Sequence, residues 1–263
     1  MVQARKPKGS PGSSGGQFTT SHADSPTPPT FNTLTERQHA SVVMAKRLIV
    51  DSIWKNANIE TNVTFPQSQM IYENLEAQGL RPSQIIIVNN VKHAWQWLID
   101  NADIPIEWAV ISQYNRIIEA GIDENNNPGG LRTIPVRVSG TKWIPDIPAF
   151  EDVQQQIQGV ISEPDVEKRA LRMFLTVCRG QFFENGNKRT ATMVANHILI
   201  HGGVGVFALD PSYKGRFAHM LTDYYETNDE DPLMQFLGRH AVEHTPTGLT
   251  QAELDKLADH KKS

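Results

Sequence analysis

Apolar residues recur every three or four positions along most of the chain, which is the spacing that places them on one face of an α-helix. The pattern extends from about residue 33 to residue 240, and glycine or proline divides it into successive segments such as 66–79 and 106–121. We therefore predict an all-α, mainly helical protein built around one hydrophobic core.

One segment, from Thr190 to Ile200, is apolar on nearly every side of the predicted helix. Its apolar residues are Ala191, Met193, Val194, Ala195, Ile198, Leu199 and Ile200. A helix at the protein surface keeps a polar face, so this pattern indicates a helix buried at the centre of the fold. Gly202 and Gly203 follow it and predict its end.

Residues 128–145 break the helical rhythm. Ile134, Val136 and Val138 occupy alternate positions, as in a β-strand, and a Ser-Gly turn follows them. The pattern predicts a short β-hairpin that extends from about Ile134 to Ile144.

A polar loop, residues 181–189, leads into the predicted central helix. The first N–H groups of a helix lack intrahelical acceptors and carry the positive end of the helix dipole. Gly186 lets the backbone approach a ligand closely, and Asn187 can order the turn. Lys188 and Arg189 add two cations where the dipole disfavours them, and an anion would resolve that conflict. The loop therefore predicts a phosphate site; a turn with two solvated basic residues is the alternative.

The same loop resembles the signature of the Fic/Doc superfamily, His-x-Phe-x-(Asp/Glu)-(Gly/Ala)-Asn-(Gly/Lys)-Arg-x-x-Arg. Members of this family transfer AMP from ATP to a hydroxyl group of a target protein. The residues that agree with the signature are Phe183, Gly186, Asn187, Lys188 and Arg189. The resemblance spans roughly residues 33–244 and implies a Fic fold that binds ATP, or another nucleoside triphosphate, with Mg²⁺. It assigns the nucleotide contacts to residues 186–189 and a catalytic role to Arg189.

The resemblance also gives the predicted hairpin a function. It would be the Fic flap, here residues 128–145, on which an extended segment of a target protein docks by strand addition. Ile134, Val136 and Val138 are then the flap residues expected to meet the target.

The sequence departs from the signature at three chemically important positions. Gln181 stands where the family has its catalytic His, and a carboxamide has no titratable site near neutral pH that could accept a proton. Asn185 replaces a metal-binding acid, and the adjacent Glu184 is the candidate to supply the missing charge to Mg²⁺. Thr192 replaces a second Arg that clamps a phosphate; the Doc branch, described as kinases, also lacks that Arg.

Residues 54–65 are similar to the inhibitory segment (Ser/Thr)-x-x-x-Glu-(Gly/Asn) that precedes many Fic domains. Glu60 takes the place of the acidic residue, which in the family pairs with the second motif Arg and blocks the γ-phosphate of ATP. Because Thr192 replaces that Arg, an ion pair here requires Glu60 to engage Arg189 instead. The alternative is a capping or surface carboxylate between two helices.

Composition narrows the class of protein. The formal net charge of the 263 residues is −4, so general binding to nucleic acid is not expected. No apolar run approaches the roughly 20 residues of a membrane span, and the first residues show no apolar signal core, which predicts a cytoplasmic protein without membrane partners. The single cysteine, Cys178, excludes an intrachain disulfide and a thiolate zinc cluster.

Three regions of the chain differ in character. Residues 1–30 are rich in Gly, Ser and Pro and predict a flexible tail. Residues 31–244 carry the helical pattern and predict the Fic domain, and residues 245–263 predict a polar C-terminal tail.

Three functions are compatible with this sequence. The first is a nucleotide-binding Fic protein related to protein adenylyltransferases, with activity weakened or lost because Gln181 replaces the base. The second is a catalytically inert Fic-fold module, regulatory or antitoxin-like, that binds a nucleotide or a protein through the flap. The third is a Doc-like protein kinase, in which positioning and electrostatics carry most of the catalysis. An active adenylyltransferase would need another base, for which Glu184 and Glu60 are the candidates.

Overall fold

The computed structural model describes residues 35–123 and 127–246. In these residues the chain forms ten α-helices, and the predicted all-α class is confirmed. The helices are α1 Glu36–Arg47, α2 Ile49–Asn58, α3 Phe65–Tyr72, α4 Pro82–Asp100, α5 Trp108–Ile118, α6 Phe150–Ile161, α7 Val166–Gly180, α8 Asn187–His201, α9 Lys214–Thr227 and α10 Asp231–His240. The predicted tail at residues 1–30 and most of the predicted tail at 245–263 lie outside the described residues.

Helix α8 is the centre of the fold, as its apolar sequence predicts. All of its residues except Lys188 and His201 are buried. It packs most extensively against α7, and it also contacts α1, α2, α4 and α5. The loop that precedes α8 is therefore attached to the most firmly packed element of the protein.

The polar side chains buried along α8 find partners in neighbouring elements. Asn196 exchanges two hydrogen bonds with the backbone of Phe207, at 2.7 and 2.8 Å. A ring nitrogen of His197 lies 2.7 Å from the hydroxyl oxygen of Tyr114, and its other ring nitrogen lies 2.7 Å from the carbonyl oxygen of Ile104. Burial lowers the pKa of His197 to about 4, so this imidazole is neutral near neutral pH and serves packing.

The small sheet of the protein does not lie where the sequence predicts a hairpin. Its strands, β1 Gly205–Phe207 and β2 Val242–His244, pair antiparallel with Gly205 opposite His244. Residues 131–148 are extended or turning backbone without strand pairing, although the turn at 139–140 is present. The expected pairing of strands between Ile134 and Ile144 is thus corrected: the flap is a loop.

The physical reason is the buried side chain of Arg132, which is 1% exposed. Its guanidinium group donates to the carbonyl oxygens of Ile134, Pro145 and Asp146, on both arms of the flap. These carbonyl groups therefore accept hydrogen bonds from a side chain instead of from a neighbouring strand. Pro135 has no N–H group to donate to a β-ladder. One side chain closes the base of the flap in place of backbone pairing.

The far end of the flap is fastened to α9. The ring of Trp143 stacks on the ring of Tyr225, with centroids 5.3 Å apart. The Thr141 hydroxyl and the Lys142 N–H group both donate to the carboxylate of Glu226, at 3.0 and 3.2 Å. The flap is held at both ends, which fixes its position beside the loop that precedes α8.

Among the helices of the described segments, none combines the length and apolar character that a crossing of the bilayer requires.

We predict that Leu199→Ala lowers the free energy of unfolding by about 2–5 kcal/mol, because it leaves a cavity at the centre of the fold. Leu199 is fully buried. Urea denaturation measures the change, and Ile147→Ala is the matched control because Ile147 is 50% exposed. The control should change stability by less than about 0.5 kcal/mol. A loss for Leu199→Ala no larger than that of the control would contradict the central position of α8.

Candidate functional site

The loop between α7 and α8 is shaped by two residues with left-handed backbone. Gln181 ends α7 with φ 44° and ψ 51°, and Gly186 precedes α8 with φ 73°. Between them, the Asn187 side chain accepts a hydrogen bond from the Phe183 N–H group at 3.1 Å and donates to the Phe183 carbonyl oxygen at 2.8 Å. Asn187 therefore orders the turn, as its position in the sequence suggests.

Gly186 is required for two reasons. A positive φ is costly for residues with a side chain. A Cβ atom at this position would also lie 2.2 Å from a carboxylate oxygen of Glu119. Because the first intrahelical bond runs from the Thr190 N–H group to the Gly186 carbonyl oxygen, the backbone N–H groups of residues 187–189 are the ones that a helix N-terminus presents to an anion.

Glu60, which follows α2, extends its carboxylate to this helix N-terminus. One oxygen lies 2.6 Å from Nε of Arg189, and the other lies 3.0 Å from Nζ of Lys188. The engagement of Arg189 by Glu60, which the sequence left open, is thus present in the structure. Burial by itself raises the pKa of Glu60, but the two cations outweigh it and hold the pKa below the ordinary value.

A second carboxylate, that of Glu119 at the end of α5, reaches Arg189 from another side. Nη2 of Arg189 lies 2.9 Å from the nearer Glu119 oxygen, and each side chain is only 2% exposed. Burial raises the pKa of Glu119, although the charge of Arg189 opposes the shift. Arg189 is therefore a buried guanidinium between two carboxylates. Its Nη1 and both Glu119 oxygens have no hydrogen-bond partner among the described residues, so Glu119 contacts Arg189 as an ion pair without a hydrogen bond.

Gln181 is tied into the loop that it begins. Its Nε2 donates to the Cys178 carbonyl oxygen at 2.6 Å, and its Oε1 accepts from the Asn187 side chain at 3.3 Å. The carboxamide thus stabilises the turn, and it offers no proton acceptor of the kind that an imidazole provides.

The two residues predicted to hold a metal differ in their surroundings. Asn185 is exposed, and its side-chain oxygen accepts from the Gly186 N–H group at 2.9 Å. Glu184 is partly exposed, so its carboxylate is accessible. The described residues contain no cluster of three His, Cys, Asp or Glu side chains that could hold a metal ion by themselves. Any metal here would depend on oxygen atoms of a ligand for most of its coordination.

The flap lies directly beside the loop. The Arg132 N–H group donates to the Phe182 carbonyl oxygen at 2.9 Å, and its Nε donates to the Gln181 carbonyl oxygen at 2.6 Å. Of the three predicted target-facing residues, Ile134 is 53% exposed, whereas Val138 packs against the core. Val136 is partly buried. The structure therefore brings flap and loop together but leaves mainly Ile134 free to meet a partner.

Sequence reasoning missed Glu119, Arg132 and Lys214. Lys214 donates to the carbonyl oxygen of Thr61, the residue after Glu60, at 2.8 Å. The sequence contains a weak signal for two of them, because an acid at a helix C-terminus and a lysine at a helix N-terminus both oppose the dipole. Nothing in the sequence pattern marks Arg132 as the residue that closes the flap.

Residues 106–199 match the family model described as Fic/DOC family, and this range includes Glu119, the flap, the loop and most of α8. Over this range the chain is similar to the Fic/DOC family. No curated protein matches the sequence of the chain.

Solved structures of Fic proteins share the fold. Fic-1 from C. elegans has a TM-score of 0.64 at 18% identity, over 86% of this chain and 67% of that one. A Fic-domain-containing signalling protein from Bacteroides thetaiotaomicron has a TM-score of 0.62 at 16% identity, over 80% of this chain and 88% of that one. A Fic family protein from Desulfovibrio desulfuricans has a TM-score of 0.53 at 13% identity, over 76% of this chain and 62% of that one. At these identities the likeness concerns the fold alone.

We predict opposite pH effects from the two carboxylates on Arg189. The lowered pKa of Glu60 means that its stabilising contribution is present above the ordinary value of 4.5 and is lost as the pH falls through the folded-state pKa. The raised pKa of Glu119 means that its contribution is full below 4.5 and declines as the pH rises through the folded-state pKa.

Thermal unfolding from about pH 7 down to about pH 3 tests both signs, because the Glu60 contribution is lost only below 4.5. The stability of the wild type relative to Glu60→Gln should shrink as the pH falls. Its stability relative to Glu119→Gln should grow over the same range. Parallel trends for the two variants would contradict the charge arrangement around Arg189.

Proposed function

We propose that this protein is an autoinhibited, nucleotide-binding Fic protein related to protein adenylyltransferases. The N-terminus of α8 is its phosphate site, and the Glu60 carboxylate takes that site when no nucleotide is bound. The observation that carries the proposal is the bidentate contact of Glu60 with Arg189 and Lys188.

The geometry of that contact supports a phosphate ligand. A carboxylate that bridges an arginine and a lysine at a helix N-terminus stands in for two oxygens of a phosphate group, which binds the same donors. Arg189 also forms an ion pair with Glu119 on another side, so its guanidinium group keeps its orientation when Glu60 departs. Its unpartnered Nη1 supplies a further donor for the incoming anion.

Transfer of AMP from ATP to a hydroxyl group requires that the hydroxyl proton be accepted as the group attacks the α-phosphate and pyrophosphate leaves. Gln181 cannot accept that proton. Glu60 is a poor acceptor as well, because two cations lower its pKa. The protein should therefore bind nucleotide better than it transfers AMP. Glu184 is the partly exposed carboxylate within the loop and remains the candidate base.

A magnesium ion fits this site only as a companion of the nucleotide. Glu184 and the Asn185 side-chain oxygen are the protein atoms that would hold it, and phosphate oxygens would complete its coordination. When bound, the ion would neutralise charge on the phosphate groups. The protein's own residues would position the nucleotide, through the N–H groups at the start of α8 and the side chains of Lys188 and Arg189.

The flap is the proposed docking surface for a target protein. Its exposed apolar residues Ile134 and Ile144 lie on the two arms, 53% and 57% exposed. The flap is anchored to the Phe182 carbonyl oxygen, so a segment bound there would be held next to the phosphate site.

One observation favours the second candidate function, a catalytically inert Fic module. Both ends of the Gln181 carboxamide are used, one on the Cys178 carbonyl oxygen at the end of α7 and the other on the Asn187 side chain. In this position the residue preserves the shape of the phosphate site without supplying a base, which suits a protein that senses a nucleotide rather than consuming it.

We predict that Glu60→Gly strengthens binding of ATP with Mg²⁺ by about tenfold or more, because it removes a carboxylate that competes through charge-assisted hydrogen bonds. Isothermal titration calorimetry measures the affinity. Glu163→Gly is the matched control, since Glu163 is also an interhelical glutamate paired with an arginine, Arg172. Unchanged affinity in Glu60→Gly, or an equal gain in the control, would overturn autoinhibition by Glu60.

We predict that Gln181→His with Asn185→Asp, in the Glu60→Gly background, raises AMP transfer by up to about 10²–10⁴-fold. The substitutions restore a base and a carboxylate for the metal. Mass spectrometry of the variants after incubation with ATP and Mg²⁺ detects self-modification or modification of an added protein. Absence of transfer in this variant would favour the inert module. Rapid transfer by the wild type that Gln181→Ala leaves unchanged would refute the role assigned to position 181.

A further inference from the structure

The phosphate site lacks one cation that its sequence signature would provide. Thr192 occupies the second turn of α8, where the signature has an arginine, and it is 1% exposed. Its hydroxyl group donates to the Lys188 carbonyl oxygen at 3.0 Å, within its own helix. The part of a phosphate chain that lies farthest from the α8 N-terminus therefore receives no charge from this position.

Lys214 brings a cation to the same region from another helix. It is the first residue of α9, and its Nζ donates to the Thr61 carbonyl oxygen at 2.8 Å and to the Asn62 side-chain oxygen at 3.2 Å. These two residues directly follow Glu60 in the chain. The segment 60–62 is thus held by Lys188 and Arg189 through its carboxylate and by Lys214 through two neutral oxygens.

The location of Lys214 is unfavourable unless an anion is near. A lysine at the first position of a helix faces the positive end of the dipole. Burial lowers its pKa and so does the charge of Lys188, while the charge of Glu60 raises it. The ammonium group is therefore within electrostatic reach of both Glu60 and Lys188.

We propose that Lys214 is a third phosphate-binding cation, which replaces the arginine absent at Thr192. When the segment 60–62 withdraws, the ammonium group exchanges the neutral oxygens of Thr61 and Asn62 for an oxygen of the terminal phosphate of a nucleoside triphosphate. With Glu60 turned away, Lys188, Arg189 and Lys214 are three cations, of which only Arg189 keeps a described carboxylate partner, Glu119. Such an excess of positive charge suits a triphosphate better than a monophosphate. This inference rests on the proposed function.

The proposal gives Lys214 two effects of opposite sign, which an experiment can separate. In the closed form, in which Glu60 contacts Lys188 and Arg189, the Lys214 side chain holds segment 60–62 in place by hydrogen bonds. Its removal therefore favours nucleotide binding. In the open form, in which segment 60–62 has withdrawn, the Lys214 side chain contacts the phosphate. Its removal then weakens nucleotide binding. Deleting Glu60 first removes most of the closed form and isolates the second effect.

The test is calorimetric titration of ATP and AMP into Glu60→Gly and into Glu60→Gly with Lys214→Met. We expect the second substitution to weaken ATP binding by about tenfold and to affect AMP much less, because one charge-assisted contact to the terminal phosphate is lost. Lys214→Arg in the same background should retain most of the affinity for ATP. If Lys214→Arg retains the affinity for ATP, the loss in Lys214→Met is due to the missing positive charge.

Lys92→Met is the matched control, because Lys92 also donates to a backbone carbonyl oxygen and an asparagine side chain, those of Tyr72 and Asn74. It should leave ATP binding unchanged. One contrary outcome is that Lys214→Met has no effect in the Glu60→Gly background but strengthens ATP binding in the wild type. In that outcome Lys214 only holds segment 60–62 in place, and the inference is wrong. If the Glu60→Gly parent itself binds no ATP, the proposed function fails and this inference fails with it.

Discussion

The buried guanidinium of Arg189 is the point on which the functional site depends. It lies between Glu119, which is buried with it, and Glu60, which arrives from the loop after α2. An unpaired charge at this depth would be strongly destabilising, so Arg189 must keep an anionic partner in every state of the protein. Glu119 lies against Gly186 and stays in place, whereas Glu60 is the partner that, in the proposed function, a phosphate group replaces.

The fold explains why the exchange of partners can be local. Helix α8 is enclosed by other helices, and its N-terminus is held in place by packing rather than by the ligand. The Asn187 side chain orders the preceding turn, and Arg132 joins that turn to the flap. A nucleotide would therefore enter a site that is already organised, and the segment that carries Glu60 is the part that has to move.

Two substitutions relative to the Fic signature then take on different meanings. Gln181 stabilises the shape of the loop but supplies no proton acceptor. In the proposed function this separates nucleotide binding from AMP transfer. Thr192 removes a cation from α8, and Lys214 is placed where it can restore the charge from α9. In the proposed function, both features leave a phosphate site in place while its catalytic groups are altered.

The sequence by itself determined the helical class, the burial of α8 and the cationic loop at its N-terminus, because these depend on residues three or four positions apart. The resemblance suggested Glu60 as the acidic residue of an inhibitory segment, with a capping or surface carboxylate as the alternative, and the sequence could not decide between Arg189 and solvent as its partner. Three contacts join distant segments of the chain: the ion pair of Arg189 with Glu119, the hydrogen bond of Lys214 to Thr61, and that of Arg132 to Gln181. Only the packing of the helices brings those segments together. The predicted strands of the flap failed for another reason: the buried side chain of Arg132, two residues before Ile134, took the carbonyl groups that a ladder would have used.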